Sequence, residues 1–185
     1  MTENQKKEAG KLPQLVDLYK DKGLEIRKND LAFLLNQKPS EDWIQKHPYV
    51  KDLKYIPIGR IEWLMTSIYK SWKVEIKEIQ LIGNSIVATV RVHYCNPLDG
   101  LWDYTDGVGA SVLQTDKGAG AIDFNFLKSS AVQMAAPSAE TYAIKDACEK
   151  LGKLFGKDLN RGRDIGYENI IKQSQKLQAL KTKEP

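Results

Sequence analysis

From Trp72 to Tyr94 apolar and polar residues alternate on both sides of one Gly-Asn pair, a pattern that commits this stretch to a β-hairpin. Trp72, Val74 and Ile76 alternate with Lys73, Glu75 and Lys77. The phase then slips to Ile79 and Leu81, so a bulge is expected there. Gly83-Asn84 is a tight-turn dipeptide, and Ile86, Ala88, Val90, Val92 and Tyr94 alternate down the return strand. Asn96-Pro97 and Asp99-Gly100 mark a second turn, which predicts a third strand from Leu101 to about Leu113.

Helical patterning flanks this hairpin. Tyr55 to Tyr69 reads as an amphipathic helix after Pro57, with Ile58, Ile61, Leu64, Met65 and Ile68 inward. Short helices are expected over Leu12 to Tyr19 and Asp30 to Asn36, and a third from Ser40, its cap, through Trp43, with Pro48 ending it. Thr115 to Ile122 is a glycine-rich excursion, and Phe124 to Ala135 has no decisive pattern. Pro137-Ser138 is read as the opening of a long helix to Phe155, and Tyr167 to Leu180 as a last helix before a basic tail. This order predicts an α+β fold, a three-stranded antiparallel sheet packed against a long helix with short helices flanking it. The expected division is a loose tail over 1–11, one domain over 12–165, and a C-terminal helix and tail over 166–185.

Composition narrows the chemistry. The 185 residues suffice for one domain with a core, and no apolar run is long enough to span a membrane. Met1 to Lys11 lacks the apolar region of a signal peptide, and Cys95 and Cys148 alone make neither a disulfide framework nor a cysteine zinc site. A cytoplasmic protein is the expectation. His47 and His93 are too few for a metal site or a catalytic triad. The glycine-rich excursion lacks the Gly-Lys-Ser/Thr ending of a phosphate loop. Asp99, Asp103 and Asp106 leave one enzyme reading open, a metal-dependent nuclease, against the plain reading that turns favour Asp for backbone reasons.

Net charge is only +4, from 28 Lys and Arg against 24 Asp and Glu, so its distribution matters more. Lys145 to Arg163 holds six cations against three anions. At helical spacing Ile144, Ala147, Cys148, Leu151, Leu154 and Phe155 form one stripe, with Gly156 as a helix stop. Lys150, Lys153 and Lys157 then share the opposite face. Such a face is either a solvated flank of a packed helix or a cationic ridge that lies along a polyanion, with Arg161 and Arg163 extending it.

Three blocks together resemble the single-strand annealing recombinases of the Rad fifty-two group and their phage relatives of the Sak type. Tyr55-Ile56-Pro57-Ile58-Gly59-Arg60 through Leu64 to Trp72 is similar to the family's Tyr-Ile, Arg, apolar helix and final Trp. The strand ending Asp106-Gly107-Val108-Gly109 is similar to its Asp-Val-Gly-Tyr-Gly strand. Ala143-Ile144-Lys145-Asp146-Ala147 through Phe155-Gly156 is similar to its Ala-Val-Thr-Asp-Gly helix ending in Phe-Gly. The resemblance implies a ring of subunits, with single-stranded DNA in a groove around it, bases outward, and annealing without ATP or any other cofactor. It implies phosphate contacts at Lys150 and Lys153 and an aromatic groove position at Tyr55, whose plain reading is a core tyrosine at a helix start. Glu149 departs from a position where the family often carries a cation. Lys46, Lys51 and Lys54 are candidates for a basic residue upstream of the tyrosine. Arg60 either binds phosphate or pairs near Glu62; Arg91 is placed along the groove; Lys157, Arg161 and Arg163 follow the ridge. Partners implied are single-stranded DNA, further copies of the chain, and a phage or host exonuclease or single-strand binding protein. A non-annealing single-strand or RNA-binding module is the alternative.

Overall fold

Ala131, Ala135, Ala139, Ala143 and Ala147 recur every fourth residue and form the buried face of helix α3 (Ala131–Glu149). In this computed structural model, which describes residues 21–161 apart from 48, 49, 117, 119, 121 and 122, that face sets the architecture. Opposite it lie Gly107 and Gly109 on strand β5 (Trp102–Val112). A Cβ on Gly107 would come within 2.1 Å of the Ala143 carbonyl oxygen, and one on Gly109 within 2.2 Å of the Ala143 nitrogen. Small residues on both sides let helix and strand approach to backbone contact.

The sheet is the expected antiparallel meander. β3 (Trp72–Ile82) pairs β4 (Ser85–Cys95), and β4 pairs β5. The register shifts between Ile76 and Glu78, where the sequence phase slips. Gly83 turns the hairpin with φ of 61°. β4 is central, and Ile86, Ala88, Val90 and Val92 are buried on the face that α3 covers. Helix α2 (Ile58–Tyr69) adds Ile61, Leu64, Met65 and Tyr69 to the same core. Its indole anchor is Trp72, whose Nε1 donates to Thr66 Oγ1 at 3.0 Å.

α3 lies over β4 and β5. On β3, Ile76, Ile79 and Leu81 oppose the buried Val90, Ala88 and Ile86, yet each is about half exposed (49%, 49% and 55%). Their face of the edge strand is apolar and, among the described residues, only about half covered.

Two sequence expectations about α3 need correction. The helix starts at Ala131, and Pro137 lies inside it. Pro137 is on the exposed side, so the carbonyl it leaves without an amide partner, that of exposed Gln133, faces water. The helix also stops early. Gly152, at φ of 154°, adopts a backbone that other residues rarely enter, and a separate 3-10 turn (Lys153–Phe155) follows before Gly156. The apolar stripe nonetheless reaches the core, since Ile144, Ala147, Cys148, Leu154 and Phe155 are buried and Leu151 packs against them.

At the other end of the chain, a 3-10 turn (Glu41–Trp43) replaces the third short helix. The Ser40 hydroxyl bonds Asp42 rather than capping the backbone, and the chain re-extends before Pro48. Two short strands follow, β1 (Gln45–Lys46) and β2 (Lys54–Tyr55), paired antiparallel. The chain forms two compact units, residues 1–34 and 35–185. The first contains most of helix α1 (Lys22–Leu35), whose Leu24 amide donates to Asp21 Oδ1 at 2.9 Å; the helix begins well before the expected Asp30. The helices expected over Leu12 to Tyr19 and Tyr167 to Leu180, and the boundaries after 11 and 165, lie outside the described residues. Among the described residues no helix is long and apolar enough to cross a membrane.

Candidate nucleic-acid interface

Lys46 and Lys54 stand directly opposite each other in the β1–β2 ladder. Like charges so placed repel, and a two-residue ladder offers little to offset them. The Asn160 side chain ties a third basic segment to this pair. Its Oδ1 accepts from the Lys54 amide and its Nδ2 donates to the Lys54 carbonyl, both at 2.8 Å. Arg161 is thereby held beside the lysines. Lys46, Lys51, Lys54 and Arg161 line one hollow of about 690 Å³, whose lining includes one carboxylate, Asp52; the exposed Arg161 guanidinium also pairs with Asp158 Oδ1 at 3.4 Å. Lys46, Lys51 and Lys54 are the sequence candidates for a basic residue before Tyr55.

Tyr55 is half-buried, and its hydroxyl donates to Gln45 Oε1 at 3.0 Å. Lys145 Nζ sits 4.6 Å from the centre of its ring and 5.6 Å from that of Tyr142. Burial holds the Lys145 ammonium below its usual pKa. Burial, reinforced by Asp146, pushes the Glu149 carboxyl up to about 7, although Arg161, Lys145 and Lys150 pull the other way. Its charge therefore changes near neutrality, amid these three cations.

The single lysine ridge does not form, because the Gly152 break turns the chain. Lys150 is exposed at the end of α3, and its ammonium bonds the Asp106 carbonyl and, at 3.2 Å, Asp146 Oδ2. Asp146 in turn accepts from the Val108 amide at 3.1 Å. Together Asp146 and Lys150 satisfy backbone groups along the open edge of β5, which limits stray strand pairing there. Lys153 points inward, 4% exposed, with Asp158 at 3.9 Å. The ridge reading expects it on a solvent-facing side, whereas here its side chain is buried. Lys157 is exposed, and Arg163 lies outside the described residues.

Lys153→Ala is expected to lower stability by about 2–3 kcal/mol, since it removes a buried stem and a charge partner of Asp158. Lys157→Ala should change stability by less than about 0.5 kcal/mol. Urea denaturation of both variants checks this, and Lys153→Met separates stem from charge.

Arg91 lies on the open sheet face but is engaged. Its Nε and Nη2 donate to the two Asp106 oxygens at 2.7 and 2.8 Å, and its guanidinium sits 3.7 Å from the Tyr104 ring centre. That pair holds the Asp106 carboxyl below its ordinary range and raises Arg91. Asp99 accepts from the Leu101 amide at 3.0 Å, and Asp103 from the Tyr104 amide at 2.8 Å. The three aspartates thus serve separate partners, and among the described residues no His, Cys, Asp or Glu cluster could hold a metal ion. Arg60 does not turn to Glu62; its guanidinium lies over the rings of Trp43 and Trp63, at 4.8 and 5.3 Å.

Sequence reasoning missed Asn160 and the Trp43–Trp63 pair as site residues. The two tryptophans are 20 positions apart, so no local period joins them. No protein-family model matches this chain, and no curated protein matches it in sequence.

Proposed function

We propose that this chain binds single-stranded DNA by its phosphates and anneals complementary strands as a homo-oligomer, without nucleotide hydrolysis. The observation that carries the reading is the hollow in which Lys46 faces Lys54, joined by Lys51 and Arg161. A polyanion neutralises the repulsion that the fold leaves standing there. Phosphate contacts are blind to sequence, as annealing of any complementary pair requires. They leave the bases free for a second strand, and base pairing supplies both specificity and driving force. The resemblance to annealing recombinases supports the same function, with the phosphate contacts moved from the expected ridge to this hollow.

Oligomerisation, as a ring in this proposal, is supported by the half-exposed apolar face of Ile76, Ile79 and Leu81. A second copy covering that face shields it from water and occupies the β3 edge. An exonuclease or single-strand binding protein as partner, and work in the cytoplasm, belong to the same proposal.

The test is the pairing rate of two dye-labelled complementary oligonucleotides with the purified protein and neither nucleotide nor metal. Acceleration supports annealing. Binding without acceleration reduces the function to a single-strand binding module, and no binding at low salt removes it.

Glu149 adds a pH dependence. Protonated below about pH 7, it is neutral beside Lys145, Lys150 and Arg161; above that pH it is an anion among them. DNA affinity should therefore fall as pH rises from 6 to 8, by a factor of about five, the equivalent of roughly 1 kcal/mol of repulsion. Glu149→Gln should hold the pH 6 affinity across that range. Fluorescence anisotropy at fixed salt measures both, and an equal fall in the variant assigns the titration elsewhere.

A further inference from the structure

We propose that Trp63, Arg60 and Trp43 form a second nucleic-acid contact, in which one base of a single strand stacks on Trp63 and its phosphate meets Arg60. This rests on the single-strand binding proposed above and gives it a base-holding subsite.

Three observations point there. Trp63 is 51% exposed, a large apolar ring left half in water on the otherwise well-packed helix α2. The Arg60 guanidinium lies over both indoles, which stand edge to face at a centroid distance of 6.0 Å. Among the described residues no carboxylate pairs with it, so its donors are held in place and remain available. These side chains line a concavity of about 360 Å³ with Gln45 and Gly59.

Gly59 supplies the third observation. A Cβ there would meet nothing within 4 Å, so internal packing does not demand a glycine. Its absent side chain keeps the concavity open at a helix position where glycine is less stable than alanine. An exposed indole, a fixed guanidinium and an open floor suit one nucleotide. Every base offers a ring face, so stacking here preserves indifference to sequence.

Asp42 also lines the concavity. Its charge disfavours a bare phosphate and favours a nucleotide whose base covers the indole.

The experiment uses the full chain and three probes: a thymidine oligonucleotide, an abasic oligonucleotide of equal length, and thymidine monophosphate. Tryptophan fluorescence should be quenched by the oligonucleotide and by the monophosphate, and Trp63→Phe should remove most of that quenching. Trp63→Ala should weaken the base-bearing oligonucleotide roughly ten- to a hundredfold, leave the abasic one within about twofold, and keep the salt slope. Gly59→Leu, which fills the floor, should reproduce that selectivity. Equal losses on both oligonucleotides, or no loss on either, overturn the subsite while single-strand binding stands. Quenching of Trp63 by the monophosphate with no oligonucleotide binding keeps the subsite and removes the wider function. No response to any probe overturns both.

Discussion

Gly109→Val is expected to leave no stably folded protein. The new Cβ would lie 2.2 Å from the Ala143 nitrogen, 2.3 Å from the Ala139 carbonyl oxygen and 2.7 Å from the Tyr142 carbonyl carbon. All three are backbone atoms of α3, so no rotamer change relieves the overlap. Extra methylenes in a packed core commonly cost about 1–3 kcal/mol when side chains can move aside. Here the whole helix must lift off β5, uncovering Ala139, Ala143 and Ala147, each fully buried. A loss above about 4 kcal/mol follows, comparable with the entire stability of a small domain. Gly107→Val should behave alike, with Ala143 and Ala147 backbone atoms within 2.1 and 2.5 Å of its Cβ. Gly59→Ala is the contrast, since it meets open space and gains helix propensity. Soluble yield and thermal unfolding by circular dichroism read all three. A Gly109→Val protein melting within a few degrees of its parent would mean that α3 does not rest on β5 at backbone distance.

The same glycines show how far the sequence could be read. The hairpin, its bulge and its turn were legible because a half-buried antiparallel strand writes its inward face at every second residue. β4 does so without a break from Ile86 to Val92. The start of α3 was obscured by a sound local rule, since proline favours first helical turns. It was overruled by the alanines at 131 and 135, which continue the buried stripe beyond Pro137. Its end was misread for a related reason. Helical spacing carried past Gly152 put Lys150, Lys153 and Lys157 on one face, but a glycine at φ of 154° ends the period that such spacing assumes. Lys153 then turns inward while Lys157 stays in solvent. The basic hollow was legible only in part. Lys46, Lys51 and Lys54 were candidates by proximity to Tyr55, but a two-residue ladder has too little alternation to announce itself. Asn160 joins Lys54 across 106 positions.

The charge of that hollow gives the second large effect. Replacing Lys46, Lys54 and Arg161 together by Gln should weaken single-stranded DNA binding about a hundredfold at low salt. The salt slope should flatten by about two, since each phosphate contact on a single strand contributes roughly 0.7. Lys150→Gln with Lys157→Gln should change both far less, because Lys150 is already committed to Asp106 and Asp146. A reversed ranking would return the phosphate contacts to the α3 terminus. Stability separates a binding role from a structural one. Lys46 and Lys54 repel across the ladder in the free protein, so Lys54→Gln alone should raise stability by the few tenths of a kcal/mol, roughly, that an exposed like-charge pair costs, read as a slightly higher urea midpoint. A lysine kept for the fold would lower the midpoint when replaced. Binding that falls while stability holds or rises places these side chains in the service of a ligand, and a falling midpoint would give the pair to the fold.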